Sequence, residues 1–192
     1  MKMDTFSKLP NIFSAHEAEA TGIRPYDLRK AVTTGFLDKI HRGVYRKASA
    51  PDGGMWEVLL AATKRIPTRC SVGLISALSY YGLTDTIPEV VWLLADHTTR
   101  SSQSGLSIVR LRSPHWDVGI SNEDGLHITT IERTFVELIA YKTRFGADEA
   151  FISLKEAVSA KRTHPYDVLI VARSMGLERR ILPSLEPLLY ER

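Results

Sequence analysis

The stretch SAHEAEATGIRPYDLRKAVTTG, residues 14–35, decides how the N-terminal part of the chain folds. Ser14 and Glu17 have the S-x-x-E spacing of a capping box, in which a hydroxyl and a carboxylate satisfy orphan amides at a helix start. This predicts a short alanine-rich helix over about 15–20. Thr21-Gly22-Ile23 then breaks it, because glycine takes the positive φ that ends a helix at little cost. RPYDLRKAVTTG restarts a helix: Pro25 suits the first helical position, and Gly35 can close the end. At 100° per residue Leu28, Ala31 and Val32 share one side with Pro25. Tyr26, Lys30 and Thr33 lie opposite, flanked by Asp27 and Arg29. The preceding LPNIF, residues 9–13, is expected to open or stabilise a short first helix.

Immediately after come FLDKI and GVYRK, which read as two short strands joined by a tight turn at His41-Arg42-Gly43. Ile40, Val44 and Tyr45 would hold this strand pair on the helices. Residues 24–47 carry Arg24, Arg29, Lys30, Lys39, Arg42, Arg46 and Lys47 against Asp27 and Asp38, although the whole chain is only +3. A local cationic face on a nearly neutral body fits a polyanionic partner. Two helices joined by a glycine turn and followed by a basic strand pair have the order of a helix-turn-helix with a wing. The partner implied is double-stranded DNA. The second helix would enter the major groove, with the forked donors of Arg24 and Arg29 suited to guanine O6/N7, and Lys30, Tyr26 and Thr33 reaching bases or phosphates. Lys39, His41, Arg42, Arg46 and Lys47 on the strand pair would face phosphate or the adjacent minor groove.

ASAPDGG, residues 48–54, has no apolar side chain larger than alanine and reads as a spacer. This places a winged helix-turn-helix at 1–47 and a second, α/β domain at 55–192. In the second domain MWEVLLAATKR and SVGLISALSYYG read as helices, the latter capped by Ser71 and ended at Gly82. EVVWLLA (89–95), LSIVRLR (106–112) and LHITT (126–130) read as strands, with DHTTRSSQSG as a polar hairpin loop between the first two. Thr129 and Glu132 repeat the capping-box spacing and open a helix over 131–145. DEAFISLKEAVSAKR and YDVLIVARSMG add two more helices. LERRILPSLEPLLYE is a helical stretch interrupted by Pro183 and Pro187. The fold class expected is α+β: a winged helix-turn-helix followed by a mixed α/β domain with a small, mostly antiparallel sheet and several helices.

Motifs for other chemistries are missing. There is no phosphate loop, no dinucleotide fingerprint and no nucleophile elbow, so no cofactor is expected. His16, His41, His97, His115, His127 and His164 show no metal-ligand spacing, and Cys70 is the sole cysteine. Asp96 lies at a strand end, where a nuclease would hold a metal, but LSIVRLR beside it carries no acid. A water-activating site needs convergent carboxylates, so Asp96 and Thr98 are expected to organise the loop. Tyr80, Tyr81 and Trp92 read as core anchors, Trp116 as a loop aromatic able to contact a partner, and Arg179-Arg180 as a solvated helix face. No apolar run approaches a membrane span, and MKMDTFSKLP lacks a signal peptide's apolar core, which makes cytoplasm the expected location.

Three motifs in order resemble a known family: Gly43-Val44-Tyr45 at the end of the winged helix; Ser76-Ala77-Leu78 through Gly82-Leu83; and Arg133-Thr134 with Glu137-Leu138. Over about residues 9–145 the sequence is similar to the AbiEi family of abortive-infection antitoxins, transcriptional regulators of type IV toxin–antitoxin systems. The resemblance implies an N-terminal domain that binds inverted repeats upstream of its own operon and represses it. It also implies a C-terminal domain that counters a nucleotidyltransferase-type toxin without a stable complex. On their chemistry alone the C-terminal motif residues read as structural: Gly82 as a helix cap, Arg133 and Glu137 as an i,i+4 pair. The function expected is therefore a non-enzymatic DNA-binding regulator, with a homodimer on palindromic DNA although no heptad pattern supports one. Two other classes remain open. In one, the winged helix docks a protein and binds heparin no better than its net charge dictates. In the other, Asp96 or Glu132 serves a nucleic-acid enzyme.

Overall fold

The computed structural model describes residues 6–111, 115–141 and 147–190. The chain divides into two compact units, 1–67 and 68–192.

In the first unit β1 (Ile12–Ser14) leads into α1 (Ala15–Ala20) and α2 (Pro25–Thr33), followed by β2 (Leu37–His41), β3 (Val44–Lys47) and α3 (Gly54–Lys64). The capping box forms: the Glu17 amide donates to Ser14 Oγ at 3.2 Å, and the Ser14 amide donates to Glu17 Oε2 at 2.8 Å. Gly22 sits at φ +86°, and the Ile23 amide reaches back to Ala18 O at 3.0 Å, which closes α1 and turns the chain into α2. The expected helical role of LPNIF is not what forms. Ile12 and Phe13 instead pair antiparallel with Arg46 and Tyr45, making a three-stranded sheet in the order β1-β3-β2. Both side chains are buried and Phe13 completes the core, so tertiary pairing outweighs local signal here. That core joins Phe6, Leu9, Phe13, Ala18, Ile23, Leu28, Ala31, Leu37 and Tyr45, with the Phe13 and Tyr45 rings stacked at 5.9 Å.

The sequence put the domain boundary at 48–54, whereas the compact units divide between Pro67 and Thr68. The intervening helix α3 packs on β1 and is tied to its unit by Lys64–Glu17 and Arg46–Glu57 ion pairs.

The second unit runs β4 (Cys70–Val72), α4 (Leu74–Tyr80), β5 (Val91–Asp96), β6 (Leu106–Leu111), β7 (Ile120–Glu123), β8 (Leu126–Thr129), α5 (Ile131–Ala140), α6 (Ala147–Ser159), α7 (Pro165–Ser174) and α8 (Glu178–Tyr190). Its sheet has the order β6-β5-β4-β8-β7 and is mixed rather than mostly antiparallel, with β5–β6 and β4–β8 parallel. Residues 97–105 are therefore not a hairpin loop but a return crossover. Arg110 holds it, donating to Thr99 O at 2.8 Å and Ser101 O at 2.9 Å.

Ser71 does not cap α4; it is buried in strand β4, and the helix starts after Gly73. A Cβ on Gly73 would come within 2.8 Å of Leu94 Cδ1, so strand and helix can meet this closely only at glycine. Gly82 closes α4 at φ +64°, as its motif suggested. The cap of α5 is Thr130, one residue later than expected, because Thr129 belongs to β8 and its Oγ1 pairs with Thr134 Oγ1 at 2.6 Å. The helix α8 is continuous through Pro183 and Pro187; Ile181, Leu185 and Leu188 bury one face and outweigh the missing amides. Arg112, the stretch 142–145 of the expected long helix and Glu191 lie outside the described residues.

The core of this unit gathers around α4, α5, α6, α7 and α8. Arg133 and Glu137 both lie within it, fully buried, with Nε to Oε1 at 2.9 Å. The guanidinium also donates to Trp116 O and Val118 O, anchoring that loop. Trp116 is buried here, its ring 5.8 Å from the Arg133 guanidinium, and offers no partner surface. Tyr80 and Tyr81 are half-buried, donating to Glu123 Oε2 and Thr129 O, and Trp92 packs against the core.

Candidate nucleic-acid interface

The helix α2 divides as its sequence periodicity predicts. Leu28 and Ala31 are buried, while Tyr26, Arg29, Lys30, Thr33 and Thr34 are exposed. Those five exposed residues line an open concavity of about 600 Å³. The outer face therefore has relief rather than a flat charged surface, and Tyr26, at 61% exposure, is its one large aromatic.

The wing is the β2–β3 hairpin. His41 is paired with Val44, and Arg42-Gly43 makes the turn, with Gly43 at φ +74°. The Gly43 carbonyl accepts from the Ala15 amide at 2.7 Å, fixing the turn against the start of α1. Val44 and Tyr45 are buried and hold the hairpin on the helices. Lys39, His41 and Arg42 are exposed along its outer edge. Burial first, and the nearby Arg65 charge second, hold the His41 imidazole below its usual pKa, so it is neutral at pH 7.

The ten residues singled out from sequence fall into two groups. Arg29, Lys30, Lys39 and Arg42 are exposed, and among the described residues their side chains have no hydrogen-bond or ion-pair partner. Tyr26 and His41 are exposed beside them. Thr33 is exposed too, but its hydroxyl donates to Arg29 O at 3.1 Å. The other three cations are engaged within the unit. Arg24 Nε meets Asp27 Oδ2 at 3.1 Å and holds that carboxyl below the usual range. Lys47 Nζ donates to Leu9 O at 2.6 Å. Arg46 pairs with Glu57 and Asp38 and donates to Ala50 O at 2.8 Å and Pro51 O at 3.1 Å. Sequence reasoning assigned Arg46 and Lys47 to phosphate; the fold holds them as ties between the wing, the N-terminal segment and α3. Glu57, on a helix assigned to the other domain, was the partner it missed.

In the second unit a smaller concavity is lined by Lys161, Arg162 and His164, but Glu132 and Asp167 line it with them. Asp96 Oδ1 accepts from the Thr98 amide at 2.8 Å and from Thr98 Oγ1 at 2.6 Å, and so organises the start of the crossover. Glu132 Oε1 accepts from Thr163 Oγ1 at 2.9 Å. Among the described residues no three His, Cys, Asp or Glu side chains converge as a metal site. No described helix is long and apolar enough to cross a membrane.

Residues 2–46 match the family model described as "Transcriptional regulator, AbiEi antitoxin". The match ends with the wing and covers the face just described. Among solved structures, the RV2827C protein from Mycobacterium tuberculosis has the same fold: TM-score 0.57 at 15% identity, covering 96% of this chain and 79% of that one. No curated protein matches the sequence.

Proposed function

We propose that the chain is a non-enzymatic transcriptional regulator of the AbiEi antitoxin kind, binding operator DNA through its first unit. The observation that carries this reading is the set of four exposed cations without a hydrogen-bond or ion-pair partner among the described residues, Arg29 and Lys30 on α2 and Lys39 and Arg42 on the wing. They lie in a segment that matches an AbiEi regulator model. A helix presented on its outer face enters a major groove, and a hairpin beside it tracks the backbone. The operator is the inverted repeat upstream of the protein's own operon, bound by two copies to repress it. The second unit counters a nucleotidyltransferase-type toxin without a stable complex, in the cytoplasm.

A gel shift with the DNA upstream of the gene tests the reading. Arg29→Ala with Lys30→Ala weakens binding tenfold or more, by the order of about 1–3 kcal/mol per base-reading contact, and binding by the unsubstituted chain falls steeply with salt. Unchanged binding by the double variant overturns the assignment of α2. Heparin retention no greater than the net charge dictates would instead favour a protein-docking winged helix.

A further inference from the structure

We propose that α2 reads a guanine together with a thymine one or two base steps away, through Arg29 and Tyr26. This rests on the DNA-binding reading and adds the base chemistry it selects.

The inference comes from what the exposed face of α2 can offer. Arg29 and Lys30 are donors only, and in the major groove the paired acceptors are guanine N7 and O6. Reading adenine takes an amide side chain that both donates and accepts, and residues 24–34 contain no Asn or Gln. Reading the cytosine amino group takes a free carboxylate. The one acid of this helix, Asp27, is held by Arg24 at 3.1 Å. Thr33 has turned its hydroxyl hydrogen to Arg29 O at 3.1 Å, so it offers outward a methyl group and a single acceptor, which cannot make the bidentate contact that distinguishes a base.

Tyr26 supplies the remaining contact. Its ring is exposed on an otherwise polar face and shares the concavity with Arg29, Lys30 and Thr33. The apolar feature of the major groove is the thymine C5 methyl. Side chains three residues apart on a helix are roughly 5–6 Å apart at Cβ. Bases along one strand are about 3.4 Å apart. Tyr26 therefore reaches the base pair one or two steps from the guanine bound by Arg29.

The test uses the full chain and the duplex it enriches from a random pool. That duplex is remade with deoxyuridine for thymine, which removes only the C5 methyl, and separately with 7-deazaguanine, which removes N7. Each replacement weakens binding about fivefold or more. Tyr26→Ala loses the response to deoxyuridine and keeps that to 7-deazaguanine; Arg29→Ala does the reverse. Both positions are exposed, and circular dichroism of the variants confirms an unchanged fold. A chain that enriches no duplex overturns DNA binding and this inference together. A chain that binds its duplex yet ignores both replacements, or whose variants keep both responses, overturns the base assignment alone.

Discussion

Arg46 on β3 is ion-paired to Glu57 on α3, and the same guanidinium donates to Ala50 O and Pro51 O in the segment between them. A cation that composition would count toward DNA thus fastens the wing to a third helix. Net charge counts every cation equally, but only those without an internal partner are free to replace counterions on a phosphate backbone.

The salt dependence of binding separates the two groups. Each phosphate contact contributes about 0.9 to the slope of log K against log salt. Lys39→Ala with Arg42→Ala therefore lowers the slope by about 2, weakening binding to all sequences alike. Arg46→Ala leaves the slope unchanged and lowers the stability of the first unit by roughly 1–3 kcal/mol, the usual cost of removing hydrogen bonds to a charged group. Titrations at several salt concentrations, with thermal melts of each variant, check both. A slope that drops for Arg46→Ala would return that residue to the interface.

The buried pair of the second unit yields a different prediction. Arg133 and Glu137 have no exposed surface, and Arg133 is the donor that holds Trp116 O and Val118 O. Burial pushes the Glu137 carboxyl up, and the guanidinium beside it pulls it down. Arg133→Ala removes the counter-charge and orphans two carbonyls, so it costs about 3–5 kcal/mol. Glu137→Gln keeps the shape, an acceptor for Arg133 Nε and the two carbonyl bonds, but leaves the buried guanidinium without its counter-charge, so it is destabilising too and costs less than Arg133→Ala. Denaturant melts of the two variants give the ranking; equal losses would show that the charge pairing, which both variants remove, carries the stability rather than the two carbonyl bonds. Gly119 reports on the same contact: a Cβ there would lie 2.7 Å from Arg133 Cβ at a φ of +64°, so Gly119→Ala is destabilising as well.

How far the sequence could be read follows from the range of each interaction. Capping and turn chemistry is local, so the Ser14–Glu17 box, the Gly22 turn, Pro25 at the start of α2 and the Gly82 cap were all legible. The split of α2 into Leu28 and Ala31 inside, Tyr26 and Lys30 outside, follows from its period alone. The strands β1 and β4 were not legible, because each is three residues long and is defined by a distant partner, and β7, though it pairs with the adjacent β8, is a short polar stretch with one apolar residue. The parallel crossover of β5 to β6 escaped for the same reason: alternation marks a strand but not the direction of its neighbour. In the site, position on the exposed face could be read from sequence, but availability could not. Arg42 and Arg46 look alike in HRGVYRK, and only α3, folded back through Glu57, distinguishes them.

His41 ties the wing to pH. Its imidazole is held below the ordinary histidine pKa, by burial first and by the Arg65 charge second, so the free protein carries it neutral at pH 7. A DNA phosphate beside the wing favours the imidazolium and raises the pKa in the complex. A ligand that prefers the protonated form binds more tightly as pH falls. The gain begins as pH drops through the pKa of the complex and levels off below the depressed pKa of the free protein. Binding at pH 5.5 is therefore expected to exceed that at pH 8 by roughly two- to tenfold, since each unit of pKa difference is worth about 1.36 kcal/mol. His41→Gln flattens the profile while leaving affinity at pH 8 nearly unchanged. Anisotropy titrations of both proteins across that range decide it: a wild-type curve as flat as the variant's would place His41 away from phosphate and leave the wing's contacts to Lys39 and Arg42.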